Sequence, residues 1–234
     1  MPRLLPRLTA TVGLASSLAA AWPVQSPDTT LTQLRPGTVR ELATGKILVA
    51  ARGLPDPNFS QTVVLLADYS DEGTMGIVLN RRTEMPIARV FPNLTDGLVT
   101  AALLYAGGPV APDGVVALER SRAKGRNILD DVRLVSERAD LERLITSSAG
   151  PDRLRVYLGY AGWGPGQLER ETLLGSWHVF SAEAATVFDA QPDTLWQRQI
   201  GRTEQRMATL LAIPRPDRWS RHATPAGTRQ AARR

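Results

Sequence analysis

The sequence predicts an α+β domain built on a mixed, largely antiparallel sheet with flanking helices. Two short apolar runs, Thr62–Tyr69 and Met75–Asn80, meet across Asp71-Glu72-Gly73. Two runs around a tight glycine-containing turn are the pattern of an antiparallel hairpin. Other strand candidates stand beside helical patterns without strict alternation, which argues against a doubly wound parallel sheet. With 234 residues the chain can hold one large domain, or one domain with extensions.

Ile47–Ala50 is a short strand candidate, and Thr62–Tyr69 is apolar enough to be buried on both faces. Pro55-Asp56-Pro57-Asn58 punctuates the loop between them. Leu103–Ala106 leads into Gly107-Gly108-Pro109, and Val115–Leu118 follows as another strand. Ser136 is the expected cap of a helix carrying Leu141, Leu144 and Ile145 on one face. Leu154, Val156 and Leu158 alternate with Arg155 and Tyr157, the period of a strand. The glycine-rich stretch Gly159–Gly166 then reads as a tight strand-to-helix turn around Trp163. A short helix fits Pro165–Leu174, with Gly175 as its exit. Trp177–Phe180 is a strand candidate. Ser181 and Asp193 are the expected caps of two further helices, the first burying Ala184, Val187 and Phe188, the second carrying Leu195, Trp196 and Ile200.

The formal charge is +5, which invites a nucleic-acid reading. Its distribution weakens that reading. In residues 1–40, four arginines against Asp28 give +3; in residues 214–234, six arginines against Asp217 give +5; residues 41–213 are left at −3. A domain built for phosphate backbones concentrates positive charge on its folded surface. Here the ends carry it, so nucleic acid is expected to meet the basic tail if it meets the chain at all. Residues 1–40 read as an N-terminal extension. Arg3 and Arg7 precede an uncharged run, Leu8–Trp22, that closes on Ala19-Ala20-Ala21, the three parts of a secretory signal. The run is short for a membrane span, which takes about 20 apolar residues, so no transmembrane helix is expected. Export and an untargeted extension stand level. Residues 41–213 form the expected domain, and 214–234 a basic, disordered tail.

Cysteine is absent, which excludes thiolate catalysis, disulfides and Cys-ligated metals. Only His178 and His222 are available, too few for a histidine metal site, and no Gly-x-Ser-x-Gly elbow exists. A carboxylate site for magnesium stays open at this point. The glycine-rich stretch is not a P-loop, because no Gly-Lys-Ser/Thr follows. It offers backbone N–H groups to an anion, or simply lets chain segments pack closely. Glu169 and Glu171, two apart on a helix, face different ways and make a poor acid–base pair. Asn80 either contacts a ligand or caps a turn, and Arg81 and Arg82 either hold an anion or are surface charge.

Taken in order, several segments resemble the AlgH/YqgE family. They are Gly45–Ala50, Asp56-Pro57-Asn58-Phe59 leading into Thr62–Leu66, Gly76–Arg81, Gly107–Val110 and Leu158–Glu169, with Glu171 and Trp177 after them. The resemblance covers about residues 45–213. It implies a sheet curled into a partial barrel, a bacterial and usually cytosolic protein, and no assigned reaction. Some members are labelled transcriptional regulators, yet no DNA-binding motif is legible here. The chain departs from the family pattern at Tyr69 and Glu119, where members often have His, and at Arg82, where Pro is common.

Three readings follow. The favoured one is a non-enzymatic regulatory or binding protein whose motifs shape the fold and one shallow pocket. The second is an enzyme, or a protein binding a nucleotide or small anion, with a cleft at Asn80, Gly107, Gly108 and Gly159. Gly162, Trp163, Gln167 and Glu169 would complete that pocket. The third is a DNA-binding regulator, which needs a basic groove or recognition helix on the domain. None calls for a cofactor.

Overall fold

A computed structural model describes residues 39–94, 102–122, 127–147 and 150–212, with side chains described through residue 205. The leader-like residues 1–21, the linker after them and the basic tail lie outside the described residues. Every described residue belongs to one compact unit.

Among the described residues, ten strands form one sheet. The first hairpin is as expected: β2 (Val63–Ser70) turns into β3 (Gly73–Val78), and β1 (Lys46–Ala50) pairs antiparallel with β2 on its other side. Every residue from Ile47 to Ala50 and from Val63 to Ala67 is buried. Neighbours in a strand point to opposite faces, so both faces of these strands are covered. A polar strand β4 (Arg82–Pro86) follows, then β5 (Leu103–Ala106), the long β6 (Val110–Arg120), and the short β7 (Asn127–Leu129) and β8 (Val132–Val135). Helix α1 (Arg138–Thr146) precedes β9 (Leu154–Trp163). Then come α2 (Gln167–Leu173), β10 (Trp177–Ser181), the one-turn α3 (Ala184–Val187) and α4 (Leu195–Ala212).

The strand order is β10-β1-β2-β3-β9-β6-β8-β7, with β4 and β5 branching from β9. All pairings are antiparallel except β5 with β9. The sheet curls into a half-barrel flanked by helices. Its far strand β7 comes back toward β2, and Ile128 and Leu129 pack on the same core as β1 and β2. Across this seam Gly45 faces the Ile128 carbonyl so closely that a Cβ would stand 2.7 Å from it.

β9 is the strand on which both halves of the sheet depend. Residues 154–158 pair with β6, and Tyr157 and Leu158 pair with β5 as well, while residues 161–163 pair with β3. Leu154 and Val156 face a core shared with Leu141 and Ile145 of α1. Tyr157, Ala161 and Trp163 face the main core, with α4 contributing Leu195, Trp196 and Ile200. The Trp196 indole N–H donates to the Ala50 carbonyl at 2.8 Å and ties α4 to β1. Arg155, 4% exposed, also faces inward. Its guanidinium donates to the carbonyls of Pro151, Val187 and Asp189 and lies 5.1 Å from the Tyr105 ring centroid, so it fastens the end of α3 to the sheet.

The structure corrects several expectations. Gly159–Trp163 is strand; only Gly164-Pro165-Gly166 turns. Gly159 takes φ +66 and bends β9 without ending it, because both neighbours keep pairing across the bend. Ser136 and Ser181 do not cap helices: α1 and α3 start after Glu137 and Glu183, neither with a side-chain cap bond. Asp193 lies inside a 3₁₀ turn, Pro192–Thr194, ahead of α4. What holds these helices is core packing, through Leu141 and Ile145 of α1, Ala184 and Val187 of α3 and Leu195 of α4. β4 is too polar, and β7 and β8 are too short, to stand out in the sequence.

Candidate functional site

The matching motifs converge on two places. The first is a backbone crossing. Gly107 donates its N–H to the Leu158 carbonyl at 2.7 Å and accepts from Val78 N–H at 2.9 Å, so it joins β3 to β9. Gly108, at φ +152, lies against the Tyr160–Ala161 peptide, and Gly159 lies against the Gly108 carbonyl. A Cβ on Gly107, Gly108 or Gly159 would stand 2.3, 2.2 or 2.5 Å from backbone atoms. These three glycines meet with main chain filling the space between them. Gly162 is near Val110 and Tyr160 on the same stretch of β9.

The second place is an aromatic hub at α2. Phe59 stacks on Trp163 with centroids 5.7 Å apart, and Trp177 meets both rings edge-on at 5.7 and 6.0 Å. Indole N–H groups need partners when buried, and Trp163 and Trp177 are only 4% and 1% exposed. One carboxylate, Glu171, serves both, accepting from Trp163 Nε1 at 3.0 Å and Trp177 Nε1 at 2.8 Å. Its other oxygen accepts from Gln167 Nε2 at 2.9 Å, and Gln167 Oε1 accepts from Gly164 N–H at 3.1 Å. Gly166 at φ +67 opens the helix that carries both residues. Glu171→Gln keeps an acceptor but removes the charge and turns an amide toward Gln167. Charge-assisted bonds are about twice as strong as neutral ones, so a loss of about 1–2 kcal/mol is expected in urea denaturation.

Glu169, on another face of α2, accepts from Tyr69 Oη at 2.6 Å. Tyr69 is one of the departures from the family pattern, and here its hydroxyl joins β2 to α2. The bond to Glu169, helped by partial burial and the carboxylate's charge, pushes the phenol up to about 12 from an ordinary 10.0. A raised phenol pKa means that the fold favours the protonated form. That contribution is complete below the unfolded value of 10.0 and is lost as pH climbs through about 12. In an ultraviolet titration Tyr69→Phe is expected to delete a step near the upper end, leaving the others in place.

Asn80 ends β3. Its Oδ1 accepts from Val63 N–H at 2.8 Å and its Nδ2 donates to the Gln61 carbonyl at 2.9 Å. Arg81 donates to the Pro57 carbonyl at 2.9 Å, and Arg82 pairs with Asp193 at 3.2 Å. Burial pulls the Arg81 guanidinium below its usual range. Glu119, another departure, forms an ion pair with Arg133. His178 sits on β10 opposite Val49. No group of three or more acidic or histidine side chains able to hold a metal occurs among the described residues. No described helix is long and apolar enough to cross a membrane.

Of the eight sequence-expected pocket residues, the crossing gathers Gly107, Gly108 and Gly159, with Gly162 farther along β9 beside Val110. The α2 region gathers Trp163 and Gln167, with Glu169 turned toward Tyr69. Asn80 serves the β2 entry. Sequence reasoning did not name Phe59, Trp177 and Glu171 as one unit. The available signal was the pair of tryptophans on either side of an in-helix acid, but only the fold brings Phe59 to them.

A profile of the AlgH-like family, DUF179, matches residues 47–208. A UPF0301 protein of Streptomyces avermitilis is 34% identical over 180 residues, spanning 73% of this chain and 92% of its own length. A UPF0301 protein of Sphingopyxis alaskensis is 38% identical over 161 residues, 66% of this chain and 85% of its own. Among solved structures, the AlgH protein of Pseudomonas aeruginosa is similar with a TM-score of 0.59 and 29% identity, covering 77% of this chain and 96% of that one.

Proposed function

The chain belongs to the AlgH-like family, and from that premise we propose that its domain works by binding and regulation and does not catalyse a reaction. One observation carries the reading: the polar side chains of the matching motifs are already engaged inside the domain. Glu171 accepts three N–H donors, Glu169 holds Tyr69, and Asn80 is bound at both ends of its amide. A general base needs a lone pair within reach of a substrate proton, and a nucleophile needs an activating neighbour. Carboxylates committed to holding indoles and a phenol are poorly placed for either role. In this reading the eight pocket residues shape the fold around a shallow surface. Residues 41–213 form the working domain, with 1–40 and 214–234 as extensions.

A broad small-molecule turnover panel tests the proposal. The expected result is no turnover above that of a heat-denatured control. Reproducible turnover that Glu169→Ala abolishes, while the variant keeps its fold, overturns it.

A further inference from the structure

We infer that the corner where the end of β6 meets the start of β8 and the entrance to β9 binds a phosphate monoester. Three segments distant in sequence are tied together there. Arg120 N–H donates to the Arg153 carbonyl at 2.7 Å, and Ser121 N–H donates to the Asp131 carbonyl at 2.9 Å. Around this knot lies a cleft of about 390 Å³ lined by Arg120, Ser121, Arg122, Asp131 and Arg153. Arg120 is held in place by Asp131 at 3.2 Å and by the Phe188 ring at 5.9 Å. Arg122 and Arg153 are exposed and make no ion pair among the described residues. Three guanidiniums against one carboxylate leave two positive charges in a stretch, 41–213, whose formal charge is −3. The excess matches a phosphate monoester, which carries roughly −1.5 to −2 at neutral pH. Guanidinium forks fit phosphate oxygens in pairs.

The surroundings narrow the ligand. A second cleft of about 580 Å³ shares Arg120 and Asp131 and runs along the seam of the half-barrel. Its lining includes Ile128, Leu129, Ala182 and Ala184, with Asp130 and Glu183 beside them. Apolar surface there suits the organic part of a small ester. The two acids repel further phosphates, which disfavours a polymer such as nucleic acid. This corner is separate from the aromatic hub and stands whether or not the domain is catalytic.

Calorimetry and amide chemical-shift mapping on the full chain test the assignment with inorganic phosphate, a nucleoside monophosphate and a single-stranded oligonucleotide. The monophosphate is expected to bind saturably and more tightly than inorganic phosphate, with shifts centred on Arg120, Asp131 and Arg153. Arg122→Gln and Arg153→Gln are each expected to weaken it about tenfold, with unchanged denaturation midpoints because both side chains are exposed. Arg89→Gln, an exposed arginine outside both clefts, is expected to have no effect. Absence of saturable binding overturns the proposal, as does affinity unchanged in the Arg122 and Arg153 variants, which would move the site to the basic tail. Equal affinity for inorganic phosphate, tighter binding of the oligonucleotide, or an equal loss in Arg89→Gln overturns it too.

Discussion

Gly108→Ala is expected to leave little or no soluble, cooperatively folding protein. At φ +152 an L side chain is strained wherever it points. Here it would also stand 2.2 Å from the Tyr160 carbonyl carbon and 2.3 Å from Ala161 N. These are main-chain atoms of β9, which is paired on both sides, so no flexible side chain can swing away. Relief requires Gly107 or β9 to move, and both hold β3 to the rest of the sheet. Overpacking against backbone in addition to conformational strain belongs to the class of substitutions costing more than about 4 kcal/mol. Whole domains are stable by only about 5–15 kcal/mol. Soluble yield and the urea midpoint provide the readout. Gly53→Ala is the control, since nothing lies within 4 Å of the added Cβ; it is expected to stay within about 0.5 kcal/mol of the parent. A Gly108→Ala protein that melts like Gly53→Ala would refute the close crossing.

Arg155→Met is expected to cost about 3–5 kcal/mol. The substitution keeps a long apolar stem but removes the donors that serve the Pro151, Val187 and Asp189 carbonyls. The bond to Val187 is buried and those to Pro151 and Asp189 partly so; a fully buried carbonyl left unpaired costs about 1–3 kcal/mol, and the partly buried ones less. The stacking over Tyr105 is lost as well. Arg155→Lys is not expected to rescue, because a compact ammonium cannot reproduce a planar fork spread over three acceptors. Hydrogen exchange separates this from a general loss of packing. Amides of residues 187–191 are expected to exchange faster relative to those of β1 and β2. Uniform acceleration would mean that Arg155 does not anchor that segment in particular.

The hairpin β2–β3 and strands β1, β5 and β10 were legible because each is a short apolar run bounded by turn residues. β4 was not: Arg82-Thr83-Glu84-Met85-Pro86 is polar and mostly exposed, and only its pairing with β5 makes it a strand. β7 and β8 are three and four residues long and are strands only through their pairings, β8 with β6 and β7 with β8. The glycines of β9 misled in a different way. Gly159 signals a break when read locally, but the break is a bend that lets one strand pair with β6 and then with β3. Such a pairing depends on partners far along the chain, which periodicity cannot register. At the candidate site, Asn80 and the Trp163–Glu171 segment could be singled out from composition and order. That Glu171 carries both indoles could not, because the angle of α2 to the sheet decides it. The arginine corner was invisible for the same reason: Arg120, Arg122 and Arg153 become neighbours only when β6 and β9 pair.

The central position of β9 bears on how the polypeptide matures on the ribosome. Strands β1 to β8 emerge before it, yet β3 and β6 have no common neighbour until residues 154–163 arrive. A nascent chain stalled before that point exposes two unpaired apolar edges, the kind that seek strands from other molecules. Late closure by a distant segment also slows folding, since loop entropy must be spent before the contacts form. Fragments ending near residue 150 should therefore be the form in which this sequence most readily aggregates.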